Sequence, residues 1–327
     1  MDDKQSSNFL SVKDLKVYYS SGGTLVKAAN GISFDLPKGA ALGLVGETGA
    51  GKTTVAKAIM QILPDHSTKH VEGSIEFKGR DLLKLPDSAL QRVRGKEISM
   101  VFQDPMTALN PVMTVGDQIA EGIRNHQGLS KASSRELAMK MLETVGISGD
   151  RMDEYPHQFS GGMKQRVVIA IALACHPELL IADEPTTALD VTIQAQVLDL
   201  IKELRQKNGS SLILITHDLG VVADICDHVA VVYAGEIVEI GTLEELYDHP
   251  THPYTIGLFG AIPDLSKNVS RLSPIDGLPP DPTHLPEGCY FAPRCPNAAE
   301  ECSKKHCGLN NLSGTHFVRC LKYRKED

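Results

Sequence analysis

One stretch of eight residues, GETGAGKT from Gly46 to Thr53, constrains the fold more than any other part of this sequence. It follows the short apolar run ALGLV and precedes TTVAKAIMQIL, a stretch typical of a helix. A glycine-rich loop between a buried strand and a helix lets backbone N–H groups bind phosphate oxygens. The sequence therefore predicts a phosphate-binding loop in an α/β fold, and an ordinary glycine-rich turn is the alternative.

The residues of this loop have separate expected roles. The glycines allow the backbone to turn its N–H groups inward, Lys52 adds a positive charge at the β- and γ-phosphates, and Thr53 offers a hydroxyl to Mg²⁺. The residues expected to bind the nucleotide here are Gly46, Thr48, Gly49, Ala50, Gly51, Lys52, Thr53 and Thr54.

Further short apolar runs predict the sheet that carries this loop. They are EISMVF at 97–102, LLIAD at 179–183 and SLILIT at 211–216, and stretches of helical length separate them. Strands that alternate with helices predict a mostly parallel sheet covered on both faces, with ligands beyond the carboxyl ends of the strands. FLSVKDLKVYY alternates like a half-buried strand, and VAVVYAGEIVEIG predicts a β-hairpin that turns at Ala234 and Gly235.

The run LLIAD brings two carboxylates, Asp183 and Glu184, to the end of a predicted strand. Beside a phosphate-binding loop, Asp183 can hold Mg²⁺ directly or through water, and Glu184 can orient the water that attacks the γ-phosphate. Two acidic residues after a strand also occur as the N-cap of a helix. The presence of the phosphate loop favours the catalytic interpretation.

Charge and hydropathy argue against several kinds of partner. The net charge is −8, Trp is absent and aromatic residues make up 5% of the chain, so a nucleic-acid-binding surface is not expected. The N-terminal stretch MDDKQSSNFLSVKDL lacks the basic and apolar regions of a signal peptide, which predicts a cytoplasmic location. The longest apolar run, VVIAIALAC, has about half of the ~20 residues that span a bilayer, and it predicts a buried helix.

Two regions differ in character from the rest of the chain. Between Pro105 and Ser160, stretches such as SSRELAMKMLETVGI predict a helical insertion without a buried strand. From Ser273, the stretch SPIDGLPPDPTHLPEG holds five prolines in sixteen residues, which predicts a linker. Cys175 and Cys226 lie in apolar surroundings and are expected in the core.

Five further segments fall in order and make the sequence resemble the ATP-binding subunits of ABC transporters from about residue 10 to 262. FQDP matches the Q-loop of that family, FSGGMKQR its signature, ALD its D-loop and ITHDLG its switch segment, and a tyrosine stands where an aromatic residue stacks on adenine. The resemblance implies roles in nucleotide binding or hydrolysis for Gln103, Ser160, Gly161, Gly162, Asp190, His217 and Tyr19 or Tyr18, with Gln103 also a ligand of Mg²⁺.

Simpler interpretations stay open for individual residues. Ser160 can act as a helix N-cap, His217 can cap a helix or pair inside the fold, and Tyr19 can fill a half-buried strand. In the family, two such domains enclose ATP, so that the signature of one closes on the phosphate loop of the other. Met163 stands where many members have Gln, which puts a side-chain hydrogen bond at this position in doubt but not the backbone contacts.

Longer stretches carry a closer resemblance to the subunits that power dipeptide and oligopeptide import, with nickel importers as near relatives. They are QDPMTALNPVMTVGDQI, YPHQFSGGMKQRVVIAIAL, ADEPTTALDVTIQAQVLDLI, HPYTIGL and PEGCYFAPRCP. The resemblance implies a peripheral ATPase on the cytoplasmic face of the cell membrane, which uses ATP and Mg²⁺ and pairs with a homologous but different ATPase. Two membrane-spanning permease subunits and an extracytoplasmic substrate-binding protein would complete the importer.

The fold implied by the resemblance is α/β. It has a P-loop NTPase (RecA-like) core with a mainly parallel sheet, an antiparallel β subdomain, a helical subdomain and a small Cys-rich C-terminal extension. The expected boundaries are 1–104 with 165–264 for the core, 105–164 for the helical subdomain and 265–327 for the linker and the tail. A nickel or other small-solute importer and a soluble ABC-type ATPase are the alternatives, and a P-loop kinase would leave the signature unexplained.

The stretch from 288 to 320, about a tenth of the chain, holds five of the seven cysteines, Cys289, Cys295, Cys302, Cys307 and Cys320. In a cytoplasmic protein, such clustering indicates metal binding or redox chemistry rather than disulfides. The spacing lacks C-x-x-C pairs, which favours an iron–sulfur cluster or an irregular zinc site, and unliganded thiols are the alternative. The family resemblance associates such tails with a [4Fe–4S] cluster. By that resemblance, Cys289, Cys295, Cys302 and Cys320 match the ligand positions and Cys307 is extra.

Overall fold

The computed structural model describes residues 9–186, 189–260 and 275–324. Its strands are β1 Leu10–Ser21, β2 Thr24–Leu36, β3 Ala41–Val45, β4 Thr68–Phe77, β5 Arg80–Asp81, β6 Ile98–Val101, β7 Leu179–Asp183, β8 Ser211–Ile215, β9 His228–Tyr233, β10 Glu236–Thr242, β11 Asn310–Ser313 and β12 His316–Val318. Its α-helices are α1 Lys52–Met60, α2 Asp87–Val93, α3 Pro105–Ala108, α4 Val115–Gln127, α5 Lys131–Thr144, α6 Gly161–Leu173, α7 Val191–Asn208, α8 Leu219–Ile225, α9 Leu243–Asp248, α10 Pro253–Gly260 and α11 Glu300–Lys304.

The chain divides into two compact units. The first unit takes its residues from 1–37, 41–83 and 216–327, and the second from 38–40 and 84–215. This division is not the one expected from the sequence, and the expected domain boundaries stay a prediction.

The first unit contains two sets of paired strands. One is antiparallel, in the order β2-β1-β4-β5. In the other, β3 runs parallel to β9, and β9, β10, β12 and β11 follow as antiparallel neighbours. Every residue of β3 is buried, as its continuous apolar sequence predicts for a central parallel strand.

The second unit carries the parallel strands β8, β7 and β6, in that order. All residues of these three strands are buried, and α7 contributes a buried stripe of Val197, Leu198, Ile201 and Leu204. Helices α3, α4 and α5 and the start of α6 fill residues 105–161, where the described chain has no strand. The α/β fold and the helical insertion predicted from the sequence are confirmed.

The predicted hairpin is also confirmed. It joins β9 to β10 through Ala234 and Gly235, whose φ angles of 48° and 83° lie in the left-handed region. Two positive φ angles define the turn that best matches the twist of a two-residue hairpin. The Gly235 N–H donates to the Ala50 carbonyl at 2.9 Å, so this turn also contacts the glycine-rich loop.

The cysteine-rich tail is docked on the first unit through an added strand, which the sequence analysis did not predict. Strand β12 pairs with β10, with Val318 opposite Glu239 and Phe317 opposite Ile240. Phe291, 2% exposed, packs its ring against Tyr233 and Tyr254 at centroid distances of 5.3 and 5.4 Å. Part of the predicted linker, residues 265–274, lies outside the described residues.

A buried carboxylate holds the tail strand in place. Glu239 of β10 is fully buried and accepts hydrogen bonds from the Thr251 and His252 N–H groups, both at 2.8 Å, and from His316 Nε2 of β12 at 2.7 Å. A buried charge is tolerated when such donors surround it. The tail therefore depends on polar contacts with the first unit as well as on Phe291.

The helices of the described residues include none that is both long and apolar enough to cross a membrane. The apolar run VVIAIALAC, which predicted a buried helix, lies largely in α6, where Val167, Ile169 and Ala170 are fully buried. Cys226 is buried as expected, whereas Cys175 is only partly buried.

We predict that Phe291→Ala lowers the free energy of unfolding by about 3–5 kcal/mol, because it removes a buried ring and leaves a cavity against two tyrosines. Phe317→Ala is the matched control, since Phe317 is a half-buried aromatic of the same tail; its cost should be about 1 kcal/mol. Urea denaturation of the purified chain would measure both. Equal losses for the two variants would contradict the central packing role of Phe291.

Candidate functional site

The phosphate-binding loop lies between the end of β3 at Val45 and the start of α1 at Lys52, as predicted. Gly46 and Gly51 have φ angles of 146° and 104°. A Cβ atom on Gly46 would lie 2.1 Å from the Val232 carbonyl oxygen, and one on Gly51 would lie 2.1 Å from that of Ala28. Both positions therefore require glycine for steric as well as conformational reasons.

Lys52 is folded into this loop. Its side chain is buried, and Nζ donates hydrogen bonds to the carbonyl oxygens of Gly46 at 2.7 Å and Glu47 at 2.9 Å. Gly51, at the N-cap of α1, has no side chain to cap the helix. A helix N-terminus that lacks a side-chain cap, next to a buried ammonium group, can bind an anion such as a phosphate.

Neighbouring tyrosines of β1 have different surroundings. Tyr19 contacts α1, where its hydroxyl donates to Thr54 Oγ1 at 3.5 Å. Tyr18 instead donates to Asn30 Oδ1 at 2.5 Å and stacks on His70 at a centroid distance of 5.1 Å. Of the two tyrosines considered from the sequence, Tyr19 is therefore the one held beside the helix that follows the phosphate loop.

Three further residues of the loop face a small cavity. Thr48, Gly49 and Ala50 line it together with prolines 279, 280 and 282, and its volume is about 160 Å³. The Lys27 N–H donates to the Pro282 carbonyl at 3.0 Å, which fixes the proline-rich segment beside the loop. The sequence placed these prolines in a linker and did not predict this contact.

In the second unit, the structure brings together Gln103 and Glu184. Gln103 follows β6 and Glu184 follows the adjacent parallel strand β7, so both lie at the same edge of the sheet. Gln103 Nε2 donates to Glu184 Oε2 at 2.8 Å. This contact orients the carboxylate that the sequence predicted to be catalytic.

The backbone at the end of β7 has an unusual conformation. Asp183, the last residue of the strand, is 3% exposed, and Glu184 has a φ angle of 44°. A left-handed non-glycine residue costs free energy and is often found at functional sites. The Glu184 N–H donates to the Ile215 carbonyl at 2.8 Å, and Asp190, rather than Asp183 or Glu184, is the N-cap of α7.

The signature residues form the start of α6. Ser160 is the N-cap, and its Oγ accepts a hydrogen bond from the Met163 N–H at 3.4 Å, so the simpler interpretation of this serine is confirmed. Ser160, Gly161, Gly162 and Asp190 line one cavity of about 560 Å³. The sequence predicted nucleotide contacts for all four, and the structure brings these four together.

Met163, which stands where related proteins often have Gln, packs beside a cation. Arg151 Nη1 lies 3.4 Å from Met163 Sδ, and the same guanidinium lies 4.4 Å from the Phe159 ring centroid. Arg151 also pairs with Glu154 at 2.6 Å. The methionine therefore has a local packing partner at the start of α6.

His217 is exposed and follows β8 by two residues. Asp218 is the N-cap of α8, where it accepts hydrogen bonds from the Gly220 and Val221 N–H groups at 2.9 and 3.2 Å. His217 therefore does not cap this helix, which was one of its simpler interpretations.

The four cysteines predicted as metal ligands line one cavity of about 290 Å³: Cys289, Cys295, Cys302 and Cys320. Cys307 does not line it and instead borders a smaller chamber together with Cys289, Glu236 and His306. All seven cysteines of the chain are free thiols. Cys289 therefore borders both spaces, and Cys307 is the one cysteine of the tail that does not line the larger cavity.

The thiols fit a metal centre only in part. Burial raises the pKa of the Cys289, Cys295 and Cys320 thiols, and nearby backbone N–H groups oppose this rise. Such N–H donors suit metal-bound thiolates. However, within residues 9–186, 189–260 and 275–324, no three His, Cys, Asp or Glu side chains are arranged to hold a metal ion.

Sequence reasoning missed the ion pair that joins this tail to the phosphate loop. Arg294 lies next to Cys295 in sequence and binds Glu47, the second residue of GETGAGKT, at 2.8 Å. A carboxylate inside an anion-binding loop would be a signal that a cation must lie nearby. The sequence could not say which of its cations that would be.

The sequence matches two described families. The ABC transporter family matches residues 29–187, and the family described as oligopeptide/dipeptide transporter, C-terminal region, matches residues 238–302. The dipeptide transport ATP-binding protein DppD of Bacillus subtilis is 52% identical over 95% of this chain and 93% of its own length. The oligopeptide transport ATP-binding protein OppD of Escherichia coli is 48% identical over 92% of this chain and 89% of its own.

A similar fold occurs in solved structures. A dimeric ATP-binding cassette in a post-hydrolysis state, bound to ADP and Pi, superimposes with a TM-score of 0.65. It is 25% identical and covers 72% of this chain and 98% of its own length.

We predict that Gly51→Ala abolishes nucleotide binding, because the added Cβ would lie 2.1 Å from the Ala28 carbonyl and displace the loop. Titration with a fluorescent ATP analogue would measure this. Gly128→Ala is the matched control, since Gly128 also has a positive φ, of 66°, but no atom within 4 Å of its Cβ position. Normal binding by Gly51→Ala would show that the close approach is not required.

Proposed function

This chain belongs to the ATP-binding subunits of dipeptide and oligopeptide ABC transporters, and we propose that it powers the import of di- and oligopeptides by ATP-driven dimerisation with a homologous ATPase. It is an ABC-type ATPase. The observation that carries the proposal is the pair of family matches, over the cassette at residues 29–187 and over the C-terminal region at residues 238–302. The relatives named above are peptide transport proteins, which favours peptide over nickel or another small solute.

In the proposed ATP site, the residues of the first unit bind the nucleotide. Tyr19 stacks on the adenine, and the loop from Gly46 to Thr54 surrounds the phosphates. Lys52 supports this role because its buried ammonium group, with Nζ 2.7 Å from the Gly46 carbonyl, places a positive charge inside the loop. Binding would stabilise the loop through charge-assisted hydrogen bonds.

The proposed hydrolytic residues come mainly from the ends of strands in the second unit. Thr53, Asp183 and Gln103 would hold Mg²⁺, which neutralises charge on the transferred phosphoryl group. Glu184 would accept a proton from the attacking water, and the hydrogen bond from Gln103 supports this role because it fixes the carboxylate. His217 would stabilise the γ-phosphate as the bond breaks.

The proposed dimer places the signature of each ATPase against the nucleotide of the other. Ser160, Gly161 and Gly162 at the N-terminus of α6 would offer N–H groups to the γ-phosphate, and Asp190 would contact the opposite site. Their shared cavity supports this role. ATP would then join the two subunits, and hydrolysis would release them.

The remaining partners are also proposals. The relatives are subunits of transporters, so two membrane-spanning permease subunits and an extracytoplasmic binding protein should accompany a second ATPase. This chain would then bind peripherally to the cytoplasmic face of the membrane. Phe102, Met106 and Val112 are 41%, 61% and 79% exposed, and such apolar side chains suit a permease surface.

We predict that Glu184→Gln retains ATP binding but loses most ATP hydrolysis and peptide uptake, because the group that accepts the proton is removed while the phosphate loop stays. The transporter would be purified through this chain from native membranes, its subunits identified, and the complex reconstituted in vesicles. Wild-type vesicles should import peptide with ATP. Recovery of the chain without permeases would overturn the transporter assembly, and unchanged hydrolysis by the variant would overturn the role of Glu184.

We further propose that Cys289, Cys295, Cys302 and Cys320 hold a [4Fe–4S] cluster. The cavity that these four thiols share, which Cys307 does not line, supports this set. When bound, the cluster would link the segments of a tail that is poor in apolar residues and so stabilise its fold. Zinc at the same thiols is the alternative.

We predict that the chain purified without oxygen contains about four iron and four acid-labile sulfide per molecule. Cys302→Ser should lose iron and make the tail sensitive to protease, whereas the matched control Cys307→Ser should retain both properties. Metal analysis and limited proteolysis give these results without an activity assay. A purified chain that contains far less than one metal site per molecule would contradict the cluster proposal.

A further inference from the structure

The tail and the phosphate loop are joined by a bidentate ion pair. Arg294 Nη1 donates to Glu47 Oε2 at 2.8 Å, and Nη2 donates to Glu47 Oε1 at 2.9 Å. The Arg294 side chain is 5% exposed and that of Glu47 is 28% exposed. Two parallel hydrogen bonds between charged groups are among the stronger and more directional contacts in proteins.

Arg294 is itself held in place by the first unit. Its Nε donates to the Asp276 carbonyl at 3.0 Å, its Nη2 to the Ile275 carbonyl at 3.4 Å, and its Nη1 to the Tyr233 hydroxyl at 3.3 Å. The guanidinium also lies 6.0 Å from the centroid of Phe291. These contacts fix the orientation of the guanidinium, so Glu47 meets a cation whose position is already determined.

Glu47 also contacts the rest of the phosphate loop through its backbone. Its N–H donates to the Tyr254 hydroxyl at 2.9 Å, and its carbonyl accepts from Lys52 Nζ at 2.9 Å and from the Ala50 N–H at 3.2 Å. The backbone and the side chain of one residue are thus engaged at once. The ion pair therefore limits the conformations of a loop that would otherwise be free to move at its glycines.

The charge of Glu47 gives the pair a second effect. A nucleoside triphosphate brings several negative charges to this loop, and an unpaired carboxylate there would repel them. The bidentate arginine neutralises that carboxylate. In a partly buried site, screening by water is weak, so this neutralisation should affect affinity.

We propose that Arg294 is a positioning residue for ATP, which orders the phosphate loop and neutralises Glu47, so that nucleotide affinity depends on the docked cysteine-rich tail. This inference rests on the proposed function. Arg294 lies next to Cys295 and three residues after Phe291 in sequence. Any change that undocks this segment would also remove the cation from the loop.

The test compares five forms of the full chain: wild type, Arg294→Gln, Arg294→Gln with Glu47→Gln, Arg294→Lys and Arg319→Gln. Arg319 is the matched control, because it is a partly buried arginine of the same tail that binds the carbonyls of Ile237 at 3.0 Å and Cys307 at 2.9 Å. The Kd for a fluorescent ATP analogue with Mg²⁺ would be measured for each form, together with thermal unfolding.

Arg294→Gln should weaken nucleotide binding about tenfold or more, because Glu47 keeps its charge without a partner. Adding Glu47→Gln should restore most of the lost affinity, since the repulsion is then removed. Arg294→Lys should give an intermediate Kd, because it keeps the charge but not the fork. In the assembled transporter, Arg294→Gln should raise KM for ATP far more than it lowers kcat.

Other results would overturn the inference. Wild-type affinity in Arg294→Gln would mean that the pair does not position the loop. An equal loss of affinity in an Arg319→Gln variant whose thermal unfolding is unchanged would mean the same, because the tail would then still be docked. If the double variant binds the ATP analogue as weakly as Arg294→Gln does, repulsion by the Glu47 carboxylate is not the cause of the lost affinity. If Arg294→Gln unfolds, the Kd of the Arg294→Lys variant is used instead, and wild-type affinity in that variant would overturn the inference. Failure of the wild-type chain itself to bind ATP would instead overturn the proposed function.

Discussion

The site depends on two close approaches of backbone to backbone. Gly46 lies against the Val232 carbonyl of β9, and Gly51 lies against the Ala28 carbonyl of β2, so the phosphate loop is packed between a parallel strand and an antiparallel one. No larger residue fits at either point. This packing gives the loop its closed shape, in which Lys52 can bind two of the loop's own carbonyl groups. A site for phosphate can form here because the strands on both sides hold the backbone rigid.

Buried charges attach the cysteine-rich tail to the same unit. Two glutamates of β10 face the tail: Glu239 binds His316 at 2.7 Å, and Glu236 binds His306 at 2.9 Å. Each glutamate is less than 5% exposed, so the removal of its histidine partner would leave a buried carboxylate without that partner, which is destabilising. Polar contacts of this kind specify one docking arrangement in a segment that has few apolar residues. They also place Arg294 within reach of Glu47.

Much of the core could be predicted because its strands are short, continuous apolar runs. The prediction of LLIAD at 179–183 matches β7 residue for residue, and the hairpin turns at Ala234 and Gly235 as expected. Single residues were harder to assign. Ser160 proved to be an N-cap, a simple role that is compatible with nucleotide binding. The choice between Tyr18 and Tyr19 depended on which side chain reaches α1, and adjacent residues of a strand point to opposite faces.

The sequence by itself determined the class of the protein. The glycine loop, the acidic pair and the order of the motifs depend on local spacing. A regular strand or helix fixes where residues at a given spacing lie. Only the tertiary structure decided how the tail is used, since the contacts between Glu47 and Arg294 and between Asn30 and Tyr290, the latter at 2.7 Å, join residues about 250 positions apart. No periodicity or motif records such pairs, because they depend on how the chain folds back over the phosphate loop.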